Sequence, residues 1–171
     1  ELKKDFTRPE KQSFNGSQIY ELIDIGLHNR IAEACKRLNI TSFVFYMACY
    51  NILLSVFSGS EDIVVGTPIN GRGSRFLNSI GMFVNTVALR SKPNSSKKIS
   101  ELLSEIKKAS IEAIDNQQYP FDKLVKKLGL NTLGRNPLFD VMFAYQGEQL
   151  SKVVFGDEEA EVLPVPLAGV K

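Results

Sequence analysis

Residues 43–57 read FVFYMACYNILLSVF, and no other stretch restricts the fold so tightly. A helix built from this run is apolar on nearly every side, so it must be covered on most of them and sit at the centre of a folded unit. Thr41 or Ser42 precedes it and can accept a bond from a first-turn amide, while Gly59 follows and suits a left-handed C-terminal position. The fifteen residues, broken by Tyr46, Tyr50, Asn51 and Ser55, fall short of the ~20 needed to span a bilayer. The run predicts a core helix and not a membrane anchor.

The flanking segments supply the rest of a layered fold. Residues 17–25 alternate Ile19, Glu21 and Ile23 against Tyr20, Leu22 and Asp24, as a strand does. Leu27, Ile31, Ala34, Cys35 and Leu38 then recur at helical spacing, predicting a helix over 26–38 that Asn39 stops. DIVVGTPI, residues 62–69, is a β-branched run ended by Pro68 and the Asn70–Gly71 turn signal, and residues 71–78 read as a loop with a helical turn. A second strand is expected over 80–90. Ser100 is the expected cap of a long helix carrying Leu102, Leu103, Ile106, Ala113 and Ile114 and ending near Gln118. Pro120 then opens a shorter helix with Phe121, Leu124, Val125 and Leu128 on one face and Gly129 as its stop. Residues 138–146 alternate again, with weaker strands at 152–155 and 161–165. Strand, two helices, two strands, two helices, then strands excludes the all-α and all-β classes, leaving an α/β (α+β) chain with helices on a mixed sheet. Residues 1–16 form a lead-in linker and 17–171 one folded unit in this reading.

Composition narrows the chemistry. At 171 residues, 43% hydrophobic and 23% charged, the chain is an ordinary globular one. A net charge of +2, with lysine pairs at 97–98, 107–108 and 126–127 in helical segments, gives no nucleic-acid footprint. Cys35 and Cys49 lack zinc or disulfide spacing and read as two buried thiols of a cytosolic protein. The single histidine, His28, lies in the first helix, far from any GxSxG elbow, and reads as a surface residue. Gly71-Arg72-Gly73-Ser74 lacks the third glycine and the GK[ST] of a phosphate loop, so a strand-to-loop turn accounts for it. No complete catalytic constellation or metal site is present. The opening at Glu1, with no basic and apolar leader, reads as the middle of a longer protein.

Three segments carry a specific resemblance. EDIVVGTPINGR (61–72) running into IGMFVNTVALR (80–90), QQYPFDKLV (117–125) and RNPLFDVMFAYQ (135–146) resemble, in order and spacing, the condensation domains of nonribosomal peptide synthetases. DFTRPEKQSFNG (5–16) looks like the segment preceding them in that family, so the resemblance covers nearly the whole chain. It implies a chloramphenicol-acetyltransferase-like fold of two lobes facing across a tunnel, of which this chain is the C-terminal lobe. The family's HHxxxDG motif belongs to the other lobe, so the resemblance implies no catalytic residue here and an inactive chain in isolation. The family joins an upstream acyl or peptidyl thioester to the amine of a downstream aminoacyl thioester. Both ride on phosphopantetheine arms of carrier domains, with no cofactor bound directly. Implied partners are the N-terminal half of the same domain, the two carrier domains and an adjacent adenylation domain, in the cytoplasm. Neither nucleic acid nor membrane is among them. An epimerisation or heterocyclisation relative, a non-catalytic carrier-docking module and a carrier-independent acyltransferase are the alternatives.

The resemblance points to Gly81, Phe83, Asn85, Thr86, Tyr119, Pro120, Phe121 and Gln146 as tunnel candidates. Asn85 interrupts a face made of Phe83, Val87 and Leu89, and reads either as a polar group beside the tunnel or as a satisfied sheet-edge amide. Gly81 either admits the pantetheine arm or permits a bulge. Tyr119-Pro120-Phe121 reads first as a helix start with an aromatic plug, and Gln146 and Asp140 face either the missing half or solvent. Arg72 and Arg90 either steer a phosphate or pair with surface carboxylates.

Overall fold

The computed structural model describes residues 2, 4–7, 15–130, 136–147, 152–156 and 158–161. Most of the expected linker, Arg135 and residues 162–165 of the last expected strand lie outside them. Helix α1 spans Ile25–Leu38. Asp24 caps it by accepting from the Gly26 and Leu27 amides, and Asn39 ends it at φ 51°, as the sequence suggests. The apolar run forms α2, Ser42–Ser58, with Thr41 accepting from Val44 N at 3.3 Å and Gly59 at φ 68° closing it.

Strand β1, Ile63–Asn70, pairs antiparallel with β2, Val84–Ser91, in a register that sets Thr67 opposite Val87. On its other side β1 takes a short parallel partner. Gly66 donates to Val141 O and accepts from Phe143 N, at 3.0 and 2.8 Å. Residues 138–146, expected as a strand, contribute only this one parallel bridge, which gives the antiparallel β1–β2 pair a mixed edge. The next donor in that parallel ladder would be residue 68, a proline with no N–H; Phe143 O accepts from Thr67 Oγ1 instead, at 2.7 Å. Pro68 therefore ends the parallel ladder, not β1 itself.

Helix α3, Ile99–Asp115, lies on one face of the sheet with α2. Lys98, not Ser100, stands at its N-terminus, where the Lys98 amide donates to Glu101 Oε2 at 3.2 Å. Met47, Leu54, Val65, Leu89, Leu102, Leu103 and Ile106 make the core between these layers. Helix α4, Phe121–Lys127, approaches the other face through an aromatic contact. Its Phe121 meets Phe139, whose ring lies under Gly66, where a Cβ would approach it to 2.4 Å. Two short strands, β3 (Lys152–Phe155) and β4 (Glu158–Glu161), form a separate antiparallel hairpin.

Three expectations need correction. Residues 17–24 are irregular and exposed, because no strand among the described residues runs beside them to complete a ladder. The expected strand at 80–90 begins only at Val84; Ile80–Phe83 lack β1 partners, and Gly81 takes φ 155°, which a β-strand of L-residues does not hold. Helix α2 is covered except along one stripe, where Cys49, Leu53, Val56 and Phe57 face outward, so of the two thiols expected to be buried only Cys35 is.

Candidate functional site

The loop that joins β1 to β2, residues 71–83, is held from within. Gly71 N donates to Phe83 O at 2.8 Å, and a Cβ on Gly71 would meet that oxygen at 2.6 Å, so the backbones close only with glycine there. The Arg72 guanidinium donates to the carbonyls of Phe76 (2.7 Å), Gly81 (3.2 Å) and Ser79, and lies 4.1 Å over the Phe83 ring. Phe76 packs on the same ring at 5.5 Å. Arg72 is thus the spoke of this loop, which contains a 3-10 turn at Ser74–Phe76. Arg90 follows the surface reading. It forms a two-pronged pair with Asp62, at 2.8 and 2.5 Å, and this hydrogen bond holds the Asp62 carboxyl below its ordinary value.

The loop leaves Ile80 and Met82 fully exposed, with Gly81 between them. Phe83 is half-buried beneath Arg72. At the head of β2, half-buried Asn85 donates from Nδ2 to the Gln117 carbonyl at 2.5 Å and accepts from Thr86 N at 2.8 Å. Its amide is therefore hydrogen-bonded on both the oxygen and the nitrogen. Gln117 belongs to the turn after α3, closed by Gln117 N to Ile114 O and Tyr119 N to Asn116 O. Here the chain passes from the α3 face of the sheet to the α4 face. Tyr119 is half-exposed on this turn and Pro120 stands at the N-cap of α4, while Phe121 turns inward to Phe139 as the plug reading expects.

Gly81, Phe83, Asn85, Thr86, Tyr119, Pro120 and Phe121 therefore lie along one connected path around the edge of β2. Gln146 is not on it. It lines a separate open groove of about 900 Å³ with Ile23, His28, Tyr46, Tyr50 and Tyr145. His28 is a surface residue there, as expected. Desolvation pushes the Tyr46 and Tyr50 hydroxyls up, with Tyr145 adding to the effect on Tyr46. Desolvation also raises the Cys49 thiol against a lowering backbone bond, so this groove holds no activated thiolate. Among the described residues no cluster of His, Cys, Asp and Glu could hold a metal, and no single helix is long and apolar enough to cross a membrane.

Sequence reasoning missed two parts of the path. Gln117 contributes a main-chain oxygen, which leaves no trace in residue type. Arg72 was expected to meet an anion; the carbonyls it gathers come from a loop conformation that only the fold reveals.

Comparison with known proteins agrees with this architecture. A family model described as Condensation domain matches residues 1–165. Tyrocidine synthase 2 of Brevibacillus parabrevis is 44% identical over 148 residues, 85% of this chain but 4% of that protein. A condensation domain from Monacolin K polyketide synthase superposes with a TM-score of 0.67 at 28% identity, over 75% of this chain and 31% of its own. A four-domain nonribosomal peptide synthetase bound to AMP and glycine gives a TM-score of 0.82 over 94% of this chain and 14% of its own, at 20% identity, which speaks to fold alone. The expected chloramphenicol-acetyltransferase-like lobe is the fold observed.

Proposed function

The chain belongs to the condensation-domain family of nonribosomal peptide synthetases, and from that premise we propose that it is the lobe that forms one wall of an amide-forming tunnel. In the proposed reaction the amine of a downstream aminoacyl thioester attacks the carbonyl of an upstream acyl thioester. A C–N bond forms, the C–S bond breaks, the amine gives up a proton and the departing thiolate regains one. The proton-handling HHxxxDG histidines are supplied by the other lobe, since the one histidine here, His28, lies in the separate groove. The carriers' phosphopantetheine arms deliver both thioesters. This chain's residues shape and steady the wall: Arg72 gathers the 71–83 loop, and Asn85 ties that loop's return strand to the turn bearing Tyr119.

One observation carries the reading. The GTPINGR, IGMFVNT and QQYPFDK segments converge at one edge of the sheet, and the loop between the first two presents Ile80 and Met82 bare. Apolar side chains held out by a braced loop suit a wall that meets an opposing surface.

The test is reconstitution. This chain, a matching first lobe and two loaded carrier domains are combined, and dipeptidyl thioester is followed by mass spectrometry. Product is expected only when both lobes are present, and turnover by this chain without the first lobe overturns the proposal. Carrier binding without any amide product would favour the docking-module alternative.

A further inference from the structure

Three motifs meet at a single junction. Gly71 closes the GTPINGR segment, Asn85 sits in IGMFVNT, and Gln117 opens QQYPFDK; a Cβ on Gly71 would lie 2.6 Å from Phe83 O and 3.8 Å from both Asn85 Cβ and Gln117 Oε1. The Asn85 side chain ties two of these segments together. Its register explains why. Thr86 opposes Pro68 between the hydrogen-bonded pairs, so the Thr86 N–H points away from β1, toward the outer edge of the sheet. Asn85 Oδ1 takes that donor, and Asn85 Nδ2 donates to the Gln117 carbonyl, in the turn just past the C-cap of α3. Gln117 Oε1, buried against Gly71, has no partner of its own. The turn is therefore not anchored through the Gln117 side-chain oxygen, and Asn85 does the anchoring.

We propose that Asn85 is a positioning residue of the condensation reaction: it sets the Gln117–Phe121 turn, and so half-exposed Tyr119, relative to the β1–β2 loop, without itself touching substrate. This rests on the tunnel-wall reading above. The amide's oxygen and nitrogen each hold a main-chain partner already. Its effect reaches the chemistry through the turn, where a displacement of an ångström lowers turnover without weakening binding.

The variants Asn85→Ala, Asn85→Asp, Tyr119→Ala and Asn85→Ala/Tyr119→Ala are compared in the complete two-lobe domain with loaded carriers. Asn85→Asp keeps the acceptor for Thr86 N and loses the donor to Gln117. Both Asn85 variants are expected to lose kcat by about tenfold to a hundredfold with KM for either carrier unchanged. The double variant is expected to be no slower than Tyr119→Ala. Multiplying effects in the double variant, or a normal kcat in Asn85→Asp, overturn the proposal. Amide hydrogen exchange supplies a readout independent of turnover: the 116–120 amides exchange faster in both Asn85 variants while those of α3 around Ile106 do not. Unchanged exchange at 116–120 overturns it as well. A wild-type two-lobe domain that forms no amide sinks the tunnel-wall reading, while the exchange data still decide the role of Asn85.

Discussion

The inward side of α2 and the tip of the 71–83 loop are both apolar, yet one is sealed and the other bare. Met47 is 0% exposed between α3 and the sheet, whereas Ile80, at 105%, and Met82, at 91%, touch little but solvent. Burial stabilises by roughly 25 cal/mol per Å² of apolar surface removed from water, so only the first group holds this lobe together. The loop is nonetheless ordered, by Arg72 and by Gly71's approach to Phe83. Polar contacts brace what hydrophobic burial does not. The contrast teaches that burial builds one apolar set into the core, while polar contacts alone hold the second in place and bare.

Three measurements sharpen or break this contrast. The largest effect is expected from Met47→Ala, which empties a site with no exposure and should cost about 2–5 kcal/mol in urea unfolding; a loss under 1 kcal/mol would mean that the sealed side is loosely packed.

A smaller effect is expected at the margin of the sealed side. Burial raises the Glu105 carboxyl, but its bonds to Lys97 and to the Lys92 amide outweigh this and leave it lowered. A carboxyl lowered on folding stabilises above the ordinary glutamate value of about 4.3, and that contribution is lost as pH falls through the folded value. Glu105→Gln should therefore cost about 0.5–1 kcal/mol near pH 7 and flatten the acid arm of the stability curve. An acid arm identical to wild type would remove Glu105 from the account.

The smallest effect is expected on the bare side. Ile80→Ser with Met82→Ser should change the stability of this chain by less than about 0.5 kcal/mol while weakening its association with the first lobe, measured by titration. A large loss of stability in the chain alone would show that the loop tip belongs to the core.

How legible this was in the sequence depended on how local the cause is. Thr41 and Gly59 bound α2 where the sequence places them, because capping is settled within a few residues. Gly129, at φ 63°, ends the α4 region for the same reason. The strand expected at 80–90 shows the opposite case. Its apolar pattern continues upstream of Val84, but pairing depends on what β1 offers opposite, and β1 turns away at Gly71. Residues 17–24 alternate as a strand should and have no strand beside them among the described residues. At the site, Asn85 stood out as an amide on an apolar face, and its partners include a main-chain oxygen thirty-two residues onward that no residue pattern announces. The apolar run of α2 gave its helix but not which side would stay uncovered, because that is decided by where the sheet and α3 lie.

The proline in β1 reaches further than one missing bond. Beyond Gly66, the flank of β1 toward Phe143 has no donor at position 68, and the neighbouring carbonyl is occupied by the Thr67 hydroxyl. A free strand from another molecule arriving there would find no continuous row of amides to zip onto. A chain that carries so much uncovered apolar surface is thereby denied one seed for fibre-like stacking.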